Sequence, residues 1–207
     1  MIDATGTRLY FMTVLHSPSA GLGQRDPDRK GDWNQSFNGG RLYPNDPRPE
    51  DLDIATIAHV LSQVNRWAGH TVKPFSVAQH SVLVSLACDP EDALWGLLHD
   101  VPEFAMGDIT RPFKYQDWMK PYRETEADFM RVVCQRFGLP PDQPTSVSRA
   151  DNMVCATEAR DLFTTIDPEW KSRWVDPTPK LTEPIIPWAA DIAERAFLAR
   201  FYSLGGK

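Results

Sequence analysis

The sequence is short of cysteine, of long apolar runs and of net positive charge. Its three cysteines, Cys88, Cys134 and Cys155, lie far apart and form no C-x-x-C element, which favours free thiols in a reducing compartment. Apolar residues make up 42% of the chain but are too interrupted for a membrane span. The net charge of −6 argues against the broad basic face that nucleic acids and anionic membranes require. We therefore expect a cytoplasmic protein that binds neither nucleic acids nor membranes. A small anionic substrate held by a local cationic cluster is still compatible with this charge.

The N-terminus carries a stretch that faintly resembles a secretory signal. Residues 9–15 (LYFMTVL) form a barely sufficient apolar run. However, Asp3 stands where positive charge is expected, and Arg8 is the sole cation before the run. We therefore do not expect a cleaved signal.

Apolar periodicity from residue 53 onward predicts an all-α bundle of about six helices. Gly69 and Gly138 supply stops after the first and fourth helices, and Ser76 is a suitable N-cap for the second. Pro102 ends the third helix, because it disfavours helical geometry in the residue before it. The helices are predicted over 53–68, 76–87, 91–101, 122–137, 146–165 and 188–202.

The composition divides the chain into three parts. Residues 1–50 are rich in Gly, Pro, Asn and Asp and predict an irregular N-terminal extension. Within it, 36–43 can form a small hairpin, since the Asn38-Gly39 dipeptide suits a type I′ turn. Residues 51–166 hold the helical core, and 167–207 form a proline-rich extended wrap and a final helix that packs on the core.

An apolar run at 93–98 leads directly into two adjacent ionisable residues, His99 and Asp100. Buried ionisable groups need a charge partner or a metal, because desolvating them alone is too costly. His80 and Asp151 project inward from two other predicted helices. Two imidazoles and two carboxylates from facing helices suit a single divalent first-row metal, such as Mn, Co, Fe, Ni or Zn. We predict that these four residues are its ligands.

Each of these ligands also has a simpler interpretation. His80 alone is more often a core histidine with satisfied hydrogen bonds than a ligand, and Asp151 alone could pair with Arg149 or Arg160. An adjacent histidine and aspartate are a weak signal by themselves. The convergence of all four residues, with two more carboxylates just downstream, favours the metal.

These residues resemble the HD-domain metal-dependent phosphohydrolases, a family named for its adjacent histidine and aspartate. The order His80, then His99 and Asp100, then Asp151 carries the resemblance. The more similar subgroup contains bacterial 5′-deoxynucleotidases of the YfbR type and phage deoxynucleotide triphosphohydrolases, and its similarity covers roughly residues 50–165. Its further features here are Glu103, Asp108, the segment 112–115 (PFKY) and the pair Arg66 and Trp67.

The resemblance implies an HD-domain bundle that holds one divalent metal and assembles as a homodimer or higher oligomer. It gives Glu103 the acid/base role toward the attacking water. Asp108 helps to protonate the leaving oxygen or to orient the water. The implied metal ligands are His80, His99, Asp100 and Asp151.

Four residues are candidates for substrate binding. Arg66 has a planar fork of donors suited to phosphate, and Trp67 would stack on the base or sugar. The alternative for this pair is a helix-end cation beside a core tryptophan. Thr110 and Lys114 could line the entrance to the same substrate site.

The leading hypothesis is a 5′-deoxynucleotidase that releases phosphate from deoxynucleoside monophosphates. One alternative is a deoxynucleoside triphosphate triphosphohydrolase, since the same helices can serve both reactions. A second is a non-catalytic regulatory module that binds a metal or a nucleotide. The sequence leaves the base and sugar preference undetermined.

Overall fold

The computed structural model describes residues 26–207, which form an all-α fold with a small two-stranded hairpin. The apolar stretch 9–15 and the first half of the predicted extension lie outside the described residues. The helices are α1 Ile54–Gln63, α2 Val77–Ala87, α3 Ala93–Leu98, α4 Glu103–Met106, α5 Arg111–Lys114, α6 Lys120–Phe137, α7 Thr145–Leu162, α8 Pro168–Trp170 and α9 Ala190–Ser203. A π-helical turn, Lys171–Val175, continues α8.

The hairpin pairs strand β1, Asn34–Gln35, with the antiparallel strand β2, Arg41–Leu42. The prediction of a type I′ turn is wrong, because that turn needs positive φ at two consecutive residues. Here Gly39 has φ of 88° but Asn38 does not share this conformation. Instead, the Gly39 N–H donates to the Ser36 carbonyl at 3.0 Å within a longer loop.

Helix α1 begins as predicted but ends earlier than its apolar pattern indicates. The Asp53 carboxylate accepts a hydrogen bond from the Thr56 N–H at 2.9 Å and caps the helix. The prediction that the helix runs to Gly69 is wrong. After Gln63 the backbone instead bonds to the segment before α2, with the Arg66 N–H donating to the Phe75 carbonyl at 2.8 Å. These tertiary hydrogen bonds outweigh the local helical pattern.

Helices α2 and α3 place the adjacent His99 and Asp100 at a helix end. The Ser76 hydroxyl accepts from the Gln79 N–H at 3.2 Å, which confirms the predicted cap of α2. Helix α3 starts later than predicted because 90–92 form a 3₁₀ turn. It also ends at Leu98 rather than at 101, so the two ionisable residues follow the last helical turn.

The later helices follow the predicted pattern with shifted ends. Helix α6 starts two residues early and ends at Gly138, which has φ of 69°. Helix α7 stops at Leu162 rather than 165. The segment 167–187 is not wholly extended, because the Asp167 carboxylate accepts from two backbone N–H groups and nucleates α8.

Helix α2 lies at the centre of the core. It packs against α1, α3, α7 and α9. The fully buried side chains around it include Ile57, Leu61, Leu97, Leu98, Phe197 and Phe201. Within 26–207, no helix is both long and apolar enough to cross a bilayer.

Candidate active site

Three helices bring the four predicted metal ligands together. Helix α2 carries His80, the end of α3 carries His99 and Asp100, and α7 carries Asp151. Nε2 of His80 lies 3.3 Å from Nε2 of His99 and 3.2 Å from Oδ1 of Asp151. The Asp100 Oδ2 atom lies 3.2 Å from Nε2 of His99 and 3.6 Å from Nε2 of His80. Donor atoms bound to one metal at about 2.1 Å lie roughly 3–4 Å apart, which these separations match. His80, His99 and Asp151 form one group whose donor atoms all lie within 4.8 Å of one another, and Asp100 flanks the two histidines outside that group.

The two imidazoles face each other through nitrogens that both carry lone pairs. Nδ1 of His80 lies 2.6 Å from Oε1 of Glu158, and Nδ1 of His99 lies 2.8 Å from the Gly96 carbonyl oxygen. Because both partners only accept, each Nδ1 carries the proton and each Nε2 is left unprotonated in a neutral ring. Two such nitrogens and two carboxylates need a cation between them. The residues present therefore fit a divalent metal, which can bind at this point.

The electrostatics of the cluster also favour a cation. Burial and Arg66 act to lower the pKa of His80, but Glu158 and Asp151 outweigh them and raise it to about 9. Without a metal, a proton on Nε2 of His80 therefore supplies the positive charge that faces Asp151, and a bound metal would replace that proton. Burial opposes ionisation of Asp100 and Asp151, yet the neighbouring histidines hold the pKa of both carboxyls well below the usual range. Asp100 and Asp151 therefore stay ionised and attract positive charge.

Glu158 is a site residue that the sequence prediction did not include. Its side chain is fully buried on α7 and accepts from three groups, His80 Nδ1, Arg66 Nε at 3.1 Å and Trp67 Nε1 at 2.7 Å. Burial opposes its ionisation, but Arg66 and His80 outweigh burial and lower the pKa of Glu158. The signal in the sequence is that Glu158 shares the inward face of its helix with Asp151, seven residues earlier.

The simpler interpretation of Asp151 is wrong. Arg149 pairs with Asp89 at 3.1 Å, and Arg160 pairs with Asp161 at 2.6 Å. The carboxylate of Asp151 instead faces His80. The two arginines lie on the outer side of α7, whereas Asp151 lines the cleft described below.

Arg66 and Trp67 lie in an unusual turn between α1 and α2. Trp67 and Ala68 have φ of 58° and 48°, a left-handed conformation that non-glycine residues rarely adopt. The turn is held because the Trp67 N–H donates to Oδ2 of Asp108 at 3.1 Å and its indole N–H donates to Glu158. Such strain, when the surroundings maintain it, is typical of functional sites.

The guanidinium of Arg66 connects this turn to the metal ligands. It is buried, and it contacts Oδ2 of Asp100 at 3.3 Å and Sγ of Cys155 at 3.1 Å as well as Glu158. Burial opposes its charge, but the surrounding acidic groups outweigh burial and raise the pKa of Arg66 well above its ordinary value. A permanently charged donor therefore lies beside the candidate metal. Arg66 does not end α1, which stops at Gln63, but begins a separate 3₁₀ turn.

Glu103 and Asp108 lie close to the cluster but are not among its converging donors. Glu103 is buried, and its Oε2 atom has no hydrogen-bond partner among residues 26–207. Burial, together with Asp100 and Asp108, raises the pKa of Glu103 well above its ordinary value. Burial also raises the pKa of Asp108, although Arg66 opposes this. A buried carboxyl without a partner beside a candidate metal site is suited to proton transfer.

These groups open into one cleft of about 1150 Å³. Thr110 precedes α5 and Lys114 ends it, so this short helix forms one side of the mouth. Nζ of Lys114 also contacts Oε1 of Glu126 at 2.6 Å. The predicted site residues that line the cleft are Arg66, Trp67, Asp100, Glu103, Asp108, Thr110, Lys114 and Asp151.

The fold and the site together define a helical protein with a cluster of two histidines with buried side chains and two half-buried aspartates in a cleft. No family model matches the chain. It is 34% identical over 170 residues to the uncharacterized protein YfdR of Escherichia coli K12. The matched region covers 82% of this chain and 94% of YfdR. It is also 37% identical over 137 residues to an uncharacterized protein of Rhodobacter capsulatus. That matched region covers 62% of this chain and 69% of the relative. The protein belongs to the same family as YfdR.

Proposed function

We propose that this protein is a metal-dependent phosphohydrolase of the HD-domain type, acting as a 5′-deoxynucleotidase on deoxynucleoside monophosphates. One observation carries the proposal: three converging metal donors, flanked by Asp100, lie beside a buried arginine and a buried carboxyl without a partner among residues 26–207. A purely structural metal site has no use for the last two groups. The sequence resemblance to the HD-domain family supports the same activity.

The roles of the residues follow from their positions. His80, His99, Asp100 and Asp151 would hold the metal, which when bound supplies a Lewis acid for a phosphoryl oxygen and activates water. Arg66 binds the phosphate through its free donor positions. Glu103 exchanges a proton with the attacking water, and Asp108 does so with the leaving oxygen or orients the water.

A deoxynucleoside triphosphate is the second candidate substrate. The cleft of about 1150 Å³ exceeds the common size of a small-ligand site, and Arg111 and Lys114 extend its cationic lining. The products distinguish the two activities, since a monophosphate gives inorganic phosphate and a triphosphate gives tripolyphosphate. The resemblance further supports a homodimer, which sedimentation of the purified protein would measure.

The test is phosphate release from purified protein that is stripped with a chelator and reloaded with Mn²⁺ or Co²⁺. We expect release from deoxynucleoside monophosphates only after reloading, and loss of release in Asp100→Asn. The matched control is Asp128→Asn, because Asp128 is exposed on α6 and, within residues 26–207, forms an ion pair with Arg131 alone. Failure of the reloaded protein to cleave any phosphoester would contradict the proposal. Tight nucleotide binding without cleavage would favour a regulatory module.

A further inference from the structure

Four aromatic side chains form one wall of the cleft. We call Trp67, Phe163, Trp170 and Trp174 the aromatic wall; all four are half-buried and line the cleft that holds Arg66. The rings of Trp170 and Trp174 are stacked, with centroids 5.5 Å apart and 14° between their planes. Trp67 meets Phe163 and Trp170 edge to face, at 5.4 and 5.8 Å. The wall is therefore one continuous aromatic surface.

The wall is fixed in place by the segment after α7. The Asp167 cap starts α8, and the following π turn carries Trp174 while it buries Val175. Further along, the Leu181 N–H donates to the Thr157 hydroxyl at 2.9 Å, which ties the segment back to α7. Single π turns inside helical segments are frequent at functional sites.

One end of the cleft thus carries Arg66 and the candidate metal ligands, and another presents flat apolar rings that remain partly exposed to solvent. A ligand that satisfies both ends carries a phosphate and a planar ring system. On the basis of the proposed function, we propose that the aromatic wall binds the base of the nucleotide substrate by stacking. The base is therefore a recognised part of the substrate, not an appendage left in solvent.

The chemistry of the wall also determines how selective it is. The indole N–H of Trp67 is already donated to Glu158, so this residue offers its ring and not a hydrogen bond to a base edge. Stacking tolerates every base because each has a π-face. We expect all four deoxynucleotides to be accepted, with purines preferred over pyrimidines through their larger ring area.

The test compares dAMP with 2-deoxyribose 5-phosphate, which has the same sugar and phosphate but no base. We expect kcat/KM to favour dAMP by about tenfold or more, the size of one base stacked on an aromatic side chain. Trp174→Ala should reduce that ratio by about tenfold, and Trp174→Phe should retain most of it. Equal kcat/KM for the two esters in the wild type, or an equal loss for both esters in Trp174→Ala, would overturn the proposal.

Binding without turnover separates this inference from the proposed activity. In Glu103→Gln protein with Mn²⁺, calorimetry should give a dissociation constant for dAMP about tenfold below that for 2-deoxyribose 5-phosphate. Cleavage of both esters with equal binding would refute the aromatic wall but keep the phosphohydrolase. Preferred binding of dAMP by a protein that cleaves nothing would refute the phosphohydrolase but support the wall.

Discussion

Oε1 of Glu158 lies 2.6 Å from Nδ1 of His80, and both side chains are fully buried. The same carboxylate accepts from Arg66 and from the indole of Trp67. Glu158 therefore orients a candidate metal ligand and holds the strained turn that lines the cleft. Partners of this kind fix the tautomer and orientation of a ligating histidine and raise its basicity.

Replacing Glu158 should weaken metal binding although Glu158 is not one of the four ligands. We expect Glu158→Gln to reduce the affinity for Mn²⁺ or Co²⁺ by about 10- to 100-fold, because the amide orients His80 less strongly than the carboxylate does. The measurement is a competition titration with a metal-sensitive dye. The matched control is Glu124→Gln, since Glu124 is an exposed residue of α6 that pairs with Lys120. Unchanged affinity in Glu158→Gln would show that Glu158 only fills space.

Glu103 should be required for turnover but not for metal binding. The variant Glu103→Gln keeps the shape of the side chain and removes its ability to exchange a proton. We expect kcat to fall by about 100-fold or more, the usual size of general acid/base catalysis, with the metal affinity unchanged. Dye titration and phosphate release on the same preparation provide both readouts. A variant that retains full kcat would exclude Glu103 as the acid/base group.

Gly96 should control the spacing of the two ligand histidines. A Cβ at this position would lie 2.9 Å from Sγ of Cys88 and 3.2 Å from the Ser85 Cα, so α2 and α3 must separate to admit it. We expect Gly96→Ala to lower the free energy of unfolding by about 1–2 kcal/mol and to weaken metal binding, because these helices carry His80 and His99.

The control for Gly96 is a second glycine whose substitution costs stability elsewhere. Gly138→Ala places a Cβ in open space but in a left-handed conformation, which costs about 1 kcal/mol. We expect metal affinity to be unchanged in this variant. Equal losses of metal affinity in the two variants would show that general stability, and not helix spacing, is measured.

The cap of α1 should make stability depend on pH. Hydrogen bonds from the Thr56 hydroxyl and N–H lower the pKa of Asp53 against the effect of burial. Because the pKa is lower in the folded state, the stabilisation is complete above the unfolded value, near pH 4, and disappears as the pH falls through the folded value. We expect Asp53→Ala to cost about 1 kcal/mol at pH 7 and progressively less below pH 4 in urea unfolding. An equal cost at pH 7 and pH 3 would contradict this.

The sequence predicted the helical core better than its boundaries. The Ser76 cap and the end of α6 at Gly138 follow from local chemistry, and both are confirmed. The end of α1 could not be predicted, because it depends on the hydrogen bond from Arg66 to Phe75 across the chain. For the same reason the left-handed turn at Trp67 has no signal in its own residues.

The candidate site also combines features that local sequence predicts with features that depend on tertiary contacts. The sequence by itself determined which ionisable residues point inward. Helical periodicity places His80 and Asp151 toward the core, and the apolar run 93–98 leads directly into His99 and Asp100. The tertiary structure alone decided what connects them, because hydrogen bonds between distant helices set the partners of each group. In the folded chain Glu158 joins His80, a candidate metal ligand, to Arg66 and Trp67. The aromatic wall likewise exists only because the segment after α7 folds back across the cleft.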